Sequence, residues 1–286
     1  MKINMNLIKS FNSLKEKISI TLSEIKTLKE TTNTIYLERF LQELKTSQPN
    51  SLLHNGFSVY SQNDEDGIIQ VILRKINRGP VTFIEFGVDP CENNTSLLLI
   101  TGGRGVWIDK TLGAFKKKIG SSNNLLIQNE FVKKGTIVDQ IDRSLDFLKI
   151  DLKNLDFLSI DLDGNDYYFL NAILDYGLAP RLICVEYNAK FPLPLDVKME
   201  YKENHSWIGN DYFSASLQAY INLLNSKYTL LCCNSNGVNA FFIRNDYKDF
   251  FDVYTPDILF MKPRYFLSSY NKGHKSSIEF LINSLR

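Results

Sequence analysis

Two regimes of hydrophobic spacing divide this chain. From Leu7 to Leu28 the apolar positions step by four and three, through Phe11, Leu14, Ile18, Thr21 and Ile25, which is the spacing of a heptad seam along one helix face. Lysines and glutamates fill much of its flanks. Tyr36, Leu37, Phe40, Leu41 and Leu44 form a second amphipathic stretch, with Glu38, Arg39, Gln42 and Glu43 opposite. Gln48-Pro49-Asn50 then reads as a breaker. The seam either packs on its own domain, as the second stretch would allow, or acts as a substrate lid or dimerisation arm. The arm reading predicts a homodimer.

From Tyr60 onward the pattern alternates between strands and helices. Ser61 stands where an N-cap should, Asp64, Glu65 and Asp66 fill the first turn, and Ile68, Ile69, Ile72, Leu73 and Ile76 supply the apolar stripe. Residues 81–86 are almost continuously apolar, as expected at the buried centre of a parallel sheet. Further strands are predicted at 105–108, 125–128, 157–160, 182–185, 228–232 and 239–243, with helices at 137–148, 167–175 and 215–226. The last two strands are joined by Asn234 to Gly237, a hairpin signal. Alternating βα units closed by a hairpin give an α/β fold: a mostly parallel seven-stranded sheet with helices on both faces. The expected organisation is a helical arm over residues 1–50, a catalytic domain over 51–250 and a C-terminal extension over 251–286.

Composition narrows this picture without redirecting it. At 286 residues the chain can bury a substantial core, and a formal net charge of +1 exerts no overall pull on nucleic acid. Its four cysteines, Cys91, Cys184, Cys232 and Cys233, are too few and too irregular for a disulfide framework or a zinc site. Residues 5–28 never sustain the apolar core of a secretory signal, and no run of about 18 apolar residues occurs. The expectation is a cytoplasmic protein with no membrane span.

Candidate chemistry lies at the strand ends, where open α/β sheets bind ligands. After the first strand comes Glu85-Phe86-Gly87-Val88-Asp89-Pro90-Cys91-Glu92, and the second ends in Asp109, 24 residues beyond Glu85. Glycine at 87 suits a sharp turn that brings backbone N–H groups against a ligand. A carboxylate at 109 can accept both hydroxyls of a ribose. Together they predict a nucleoside-bearing cofactor. Gly-x-Gly-x-x-Gly is absent, and Asp89 and Glu92 would repel a pyrophosphate. S-adenosylmethionine (SAM), which carries a sulfonium and an ammonium but no phosphate, tolerates such a loop. NAD is disfavoured.

Several ordered motifs then form a recognisable series: Tyr60-Ser61-Gln62-Asn63-Asp64-Glu65-Asp66-Gly67, Phe83-Ile84-Glu85-Phe86-Gly87, Glu92-Asn93-Asn94-Thr95 and Gly105-Val106-Trp107-Ile108-Asp109. Ser159-Ile160-Asp161-Leu162-Asp163-Gly164-Asn165-Asp166 and Val185-Glu186-Tyr187-Asn188 follow. Over roughly residues 55–245 the series resembles bacterial class I SAM-dependent methyltransferases allied to the FkbM type, found in gene clusters for capsules, lipopolysaccharides and other surface glycans. The resemblance implies a Rossmann-like methyltransferase fold and O-methylation of a sugar or another surface-glycan component. It implies cofactor contacts from Gln62, Glu85, Gly87, Asp89, Asn94, Thr95, Asp109, Lys110, Phe131 and Asp161. One departure is Asp89-Pro90-Cys91, where such enzymes have small, glycine-rich residues. Competing expectations are an NAD-linked Rossmann oxidoreductase and a non-catalytic scaffold with a degenerate cofactor site.

Class I methyltransferases meet their acceptor at the fourth and fifth strand ends. The resemblance therefore puts Asp161 and Asp163 forward as catalytic carboxylates, and Glu186, Asn188 and Tyr212 as substrate contacts. Asp161, Asp163, Glu186 and Asn188 could instead hold Mg²⁺, with Asp161, Glu186 and Asn188 as the ligands put forward, since hard oxygen ligands suit that cation. The plainer alternative is a turn at 163–166 that caps the next helix. His205, in a polar and aromatic loop, is the candidate general base, against an ordinary surface histidine. His54 and His274 are assigned no role. Lys116-Lys117-Lys118 and Lys133-Lys134 are read as solvated faces, with attraction of an acidic acceptor as the alternative.

Overall fold

The computed structural model describes residues 5–76, 79–267 and 276–285, with side chains from residue 10 onward. The Leu7 side chain and His274 lie outside the described residues. The first element is one uninterrupted helix, α1 (Met5–Ser47), that stops at the expected breaker. The two amphipathic stretches are therefore halves of the same rod, and the first cannot fold back on the second. Residues 10–32 are exposed throughout, so the seam has no partner within the described chain. The second half is anchored. Leu44 enters the core, Asn33 donates to the carbonyl of Phe266, and Arg264 reaches Tyr36 Oη and the face of Phe40.

Helix α2 (Glu65–Ile76) starts four residues after Ser61, not directly behind it. Ser61 nevertheless caps it, because Ser61 Oγ accepts the Asp66 amide at 3.1 Å while Asp66 Oδ2 accepts the amides of Val59, Tyr60 and Ser61. The predicted strands are all present: β1 (Thr82–Phe86), β2 (Arg104–Ile108), β3 (Leu125–Gln128), β4 (Phe157–Ile160), β5 (Leu182–Glu186), β6 (Tyr228–Cys233) and β7 (Asn239–Arg244). Between them run α3 (Ser96–Ile100), α4 (Gly113–Ile119), α5 (Ile137–Leu148), α6 (Asp166–Tyr176) and α7 (Leu217–Leu224), and α8 (Pro256–Leu259) and α9 (Glu279–Leu285) follow.

One seven-stranded sheet results, in the order β3-β2-β1-β4-β5-β7-β6. All neighbours pair in parallel except β5 with β7 and β7 with β6. Right-handed crossovers from β1 to β2 and β3 put α3 and α4 on one face; the return to β4 and β5 puts α5 and α6, which touch, on the other. The hairpin turn closes as its sequence predicts. Gly237 takes a φ of 70°, and Asn234 Oδ1 accepts the amides of Val238 and Asn239.

The three stretches separated in the sequence reading share one core. Leu44 from the arm, and Leu259, Met261, Leu281 and Ile282 from beyond residue 250, pack in the same cluster as the sheet. All four cysteines are free thiols, three of them buried. Among the described residues no helix is long and apolar enough to cross a membrane.

This distribution of contacts predicts where the chain tolerates loss. Deleting residues 1–30 is expected to leave the urea midpoint of the remaining chain unchanged. Leu44→Ala, at a position only 5% exposed, is expected to lower stability by about 2–4 kcal/mol in the same measurement.

Candidate functional site

Strand order reverses at β1 and β4: the chain leaves β1 toward β2 and leaves β4 toward β5. Loops that diverge from adjacent strands open a crevice between them. Here the two loops first touch. Gly87 has a φ of 79°, and a Cβ added to it would stand 1.6 Å from the carbonyl oxygen of Asp161. No other residue fits that contact. Beyond it lies a cavity of about 470 Å³, a size typical of small-molecule sites.

Glu85 organises the first wall. Its carboxylate is buried, with Oε1 accepting the Asn94 amide at 2.8 Å and Oε2 accepting the Thr95 hydroxyl. Thr95 Oγ1 in turn accepts from Trp107 Nε1 at 2.7 Å, and Asn94 Nδ2 donates to Ser159. Glu85 and Thr95 thus shape the site instead of facing a ligand with free groups, and Thr95 is fully buried behind the wall. Burial pushes the Glu85 carboxyl up to about 7, against the lowering effect of its hydrogen bonds to Thr95 and Asn94.

Gln62, Asp89, Asn94, Asp109, Lys110 and Phe131 all line the cavity, as the sequence reading expected. Asp109 Oδ1 accepts both the amide and the hydroxyl of Thr111 at 2.7 Å, which leaves Oδ2 free. Lys110 Nζ lies 5.2 Å from the centre of the Phe131 ring. Neither lysine cluster lines the cavity: Lys118 pairs with Glu279 and Lys133 with Glu203. They are solvated faces.

At the far wall the structure brings Asp161, Asp163 and Glu186 together, with one carboxylate oxygen of each within 4.8 Å of the others. The turn at 163–166 leads into α6 without a side-chain cap on the helix; its Asn165 side chain bonds Lys202 instead. Asp166 accepts the amides of Leu162 and Gly164, which holds Asp163 at a φ of 54°, a backbone conformation that non-glycine residues adopt at a cost. The turn is present and places Asp163 beside its neighbours, but the expected side-chain cap on α6 is not formed. Loss of solvent, then the charges of Asp166 and Asp163, hold the Asp161 carboxyl well above the usual range. Glu186 is raised likewise by burial and by Asp161. Its Oε2 is buried without a partner.

Besides Thr95, two expected site residues stand off this cavity. Asn188 is buried away from this cavity: its Nδ2 donates to the carbonyls of Asp211 and Phe213, and its Oδ1 accepts the Lys190 amide at 3.3 Å. Extended backbone turns alternate residues the same way only while the strand lasts, and β5 ends at Glu186. Tyr212 accepts the Glu200 amide outside the cavity. His205 does line it. Its ring packs on Gly164, where an added Cβ would stand 2.4 Å from His205 Cδ2, and its Nε2 is buried and unpartnered. The negative charge of Asp163 lies close enough to interact with it.

Three contributors were not legible beforehand. Asn239 Oδ1 opens into the cavity unpartnered, while its Nδ2 donates to Glu65 Oε1 at 3.0 Å. Glu65, buried, also accepts from Asn63 and Asn234, so it ties α2 to the hairpin. Trp207 forms part of the lining, with Nε1 fixed on the Asn210 carbonyl. The sequence offered only a signal for Trp207, an aromatic in the polar loop beside His205.

No family model and no curated protein matches the chain.

The Glu85 carboxyl makes the fold pH-sensitive. A carboxyl raised from 4.5 to about 7 favours the folded state most while protonated, so its contribution is complete below about 4.5 and is lost as pH rises to about 7. In urea titrations the unliganded protein is expected to lose on the order of 3 kcal/mol through this group between pH 5 and 8. Glu85→Gln should flatten that part of the slope, and an unchanged slope counts against the assignment.

Proposed function

We propose that this chain is a class I SAM-dependent methyltransferase, allied to the FkbM type, that methylates an oxygen of a sugar or other component of a bacterial surface glycan. The observation that carries the reading is the free carboxylate oxygen of Asp109, at the carboxyl end of β2, in the cavity opened by Gly87 and Asp161. A sheet in which antiparallel β7 lies between β5 and β6 supports it further, because the dinucleotide fold has the order 3-2-1-4-5-6, with no strand inserted between the fifth and sixth.

The lining suits this cofactor's charge. Asp89, Glu92 and Asp109 line the cavity together with Lys110, while Glu130 is paired with Arg143 and Glu85, Asp161 and Glu186 are held toward their protonated forms by burial. Such a field attracts a sulfonium and an ammonium and repels a pyrophosphate. SAM, when bound, supplies an electrophilic methyl group on a good leaving sulfur. Asp109 would hold the ribose hydroxyls, and Phe131, with Lys110 5.2 Å from its ring centre, would offer an aromatic surface to the base. Gly87 lets backbone approach the ligand with no side chain between.

The remaining task is the acceptor hydroxyl. His205 Nε2 takes its proton, and the carboxylate of Asp163 stabilises the imidazolium that forms. Asp161 and Glu186 hold the hydroxyl in line, and Trp207 excludes water from that side. The same three carboxylates fit a hard divalent cation, which would lower the pKa of a bound hydroxyl. Of the four oxygen ligands put forward, these three come together and Asn188 does not.

Calorimetry with SAM, S-adenosylhomocysteine and NAD tests the cofactor. SAM and its demethylated product are expected to bind and NAD not to. Asp109→Ala should weaken SAM binding by about 1–3 kcal/mol. Binding of NAD alone would overturn the reading, and unchanged SAM affinity would remove Asp109 from the site. The cation is tested apart. Titrating Mg²⁺ into the unliganded protein should give saturable heat that Glu186→Gln abolishes, and turnover should fall in excess chelator and return with Mg²⁺. Full activity in chelator would leave His205 as base without metal help.

A further inference from the structure

The exposed half of α1 carries two apolar rows with unequal chemistry. With Phe11 at a heptad a position, Ile18 and Ile25 also fall at a, and Leu14 and Leu28 fall at d. Each is more than half exposed. Ile35, at d, continues the row and is 48% exposed. The domain does not compete for this face. It takes Asn33, Tyr36, Phe40 and Leu44, which stand at b, e, b and f on a different side of the helix.

We propose that this segment pairs with the same segment of a second copy in a parallel two-stranded coiled coil. Three features choose that occupant and that polarity. β-Branched residues at a with leucine at d favour two parallel strands. In-register pairing also sorts the layers: Thr21 and Thr32 each meet their own counterpart, so hydroxyl faces hydroxyl. An antiparallel register that also matched Thr21 with Thr32 would set Leu14 against Arg39 and Phe11 against Gln42. Finally, Glu24 at g faces Lys29 at e of the partner in both directions, and no like-charged g–e pair arises, since Lys15 meets Ser10 and Lys17 meets Leu22.

The seam spans more than three heptads from Phe11 to Ile35, long enough to pair by itself. Parallel pairing puts both domains at one end of the rod. Dimerisation is independent of what the cavity binds.

Light scattering on the full chain at micromolar concentration is expected to give twice the 32.9 kDa chain mass. Ile18→Glu with Ile25→Glu should return it to one chain mass with the near-ultraviolet circular dichroism of the domain unchanged, since neither side chain packs on the domain. Polarity is read from Leu14→Cys in a Cys91→Ser background. Mild oxidation should give a covalent dimer, because parallel strands align Leu14 with its counterpart. A full-length monomer overturns the proposal, including one that sediments with vesicles of phosphatidylcholine and phosphatidylglycerol. A dimer that survives the double substitution, or that resists the cysteine cross-link, overturns the seam or the polarity respectively.

Discussion

The approach of Gly87 to the Asp161 carbonyl is the constraint on which the rest of the site depends. Two adjacent parallel strands send their loops in opposite directions, and the cavity exists only because those loops meet at their bases and part above. A side chain at 87 would force β1 and β4 apart at that point. The left-handed φ of Gly87 also turns the chain away at once, so the acidic loop from Asp89 to Glu92 forms one wall and the turn from Asp161 to Asn165 the other.

Holding those walls in place costs buried polar groups, and the chain satisfies most of them in a connected way. Glu85 fixes the wall after β1 through Asn94 and Thr95, Asp166 fixes the turn after β4, and Glu65 fixes the hairpin through Asn63, Asn234 and Asn239. Each is a carboxylate that accepts hydrogen bonds from loop backbone or amide side chains, which a buried charge requires. Of the ten buried side-chain atoms left without a partner among the described residues, three gather at one place. Glu186 Oε2, His205 Nε2 and Asn239 Oδ1 are buried without partners and all belong to residues lining one cavity, the pattern of groups kept for a ligand.

Much of the fold was legible in residue order. All seven strands fall within two residues of the positions read from apolar runs and turn signals, because a sheet covered on both faces needs apolar residues at every strand position. Gly87, Asp109, Asp161 and Glu186 were legible for a related reason: they follow directly from strand ends, and strand ends define the site. Asn188 and Tyr212 were misplaced because beyond β5 the chain becomes a long loop, in which spacing no longer implies direction.

By itself, then, the sequence determined the elements, their alternation, the hairpin and the acidic character of the strand ends, since each rests on contacts between near neighbours. Only the tertiary structure decided which of those acids face the cavity. Glu85 and Asp161 both stand at strand ends, yet one is consumed by loop amides and the other opens into the cavity. The tertiary structure also decided that the arm is one rod with half its length anchored, because the anchor comes from residues more than two hundred positions away. Contacts at that separation leave no period in the chain and are chosen by packing alone.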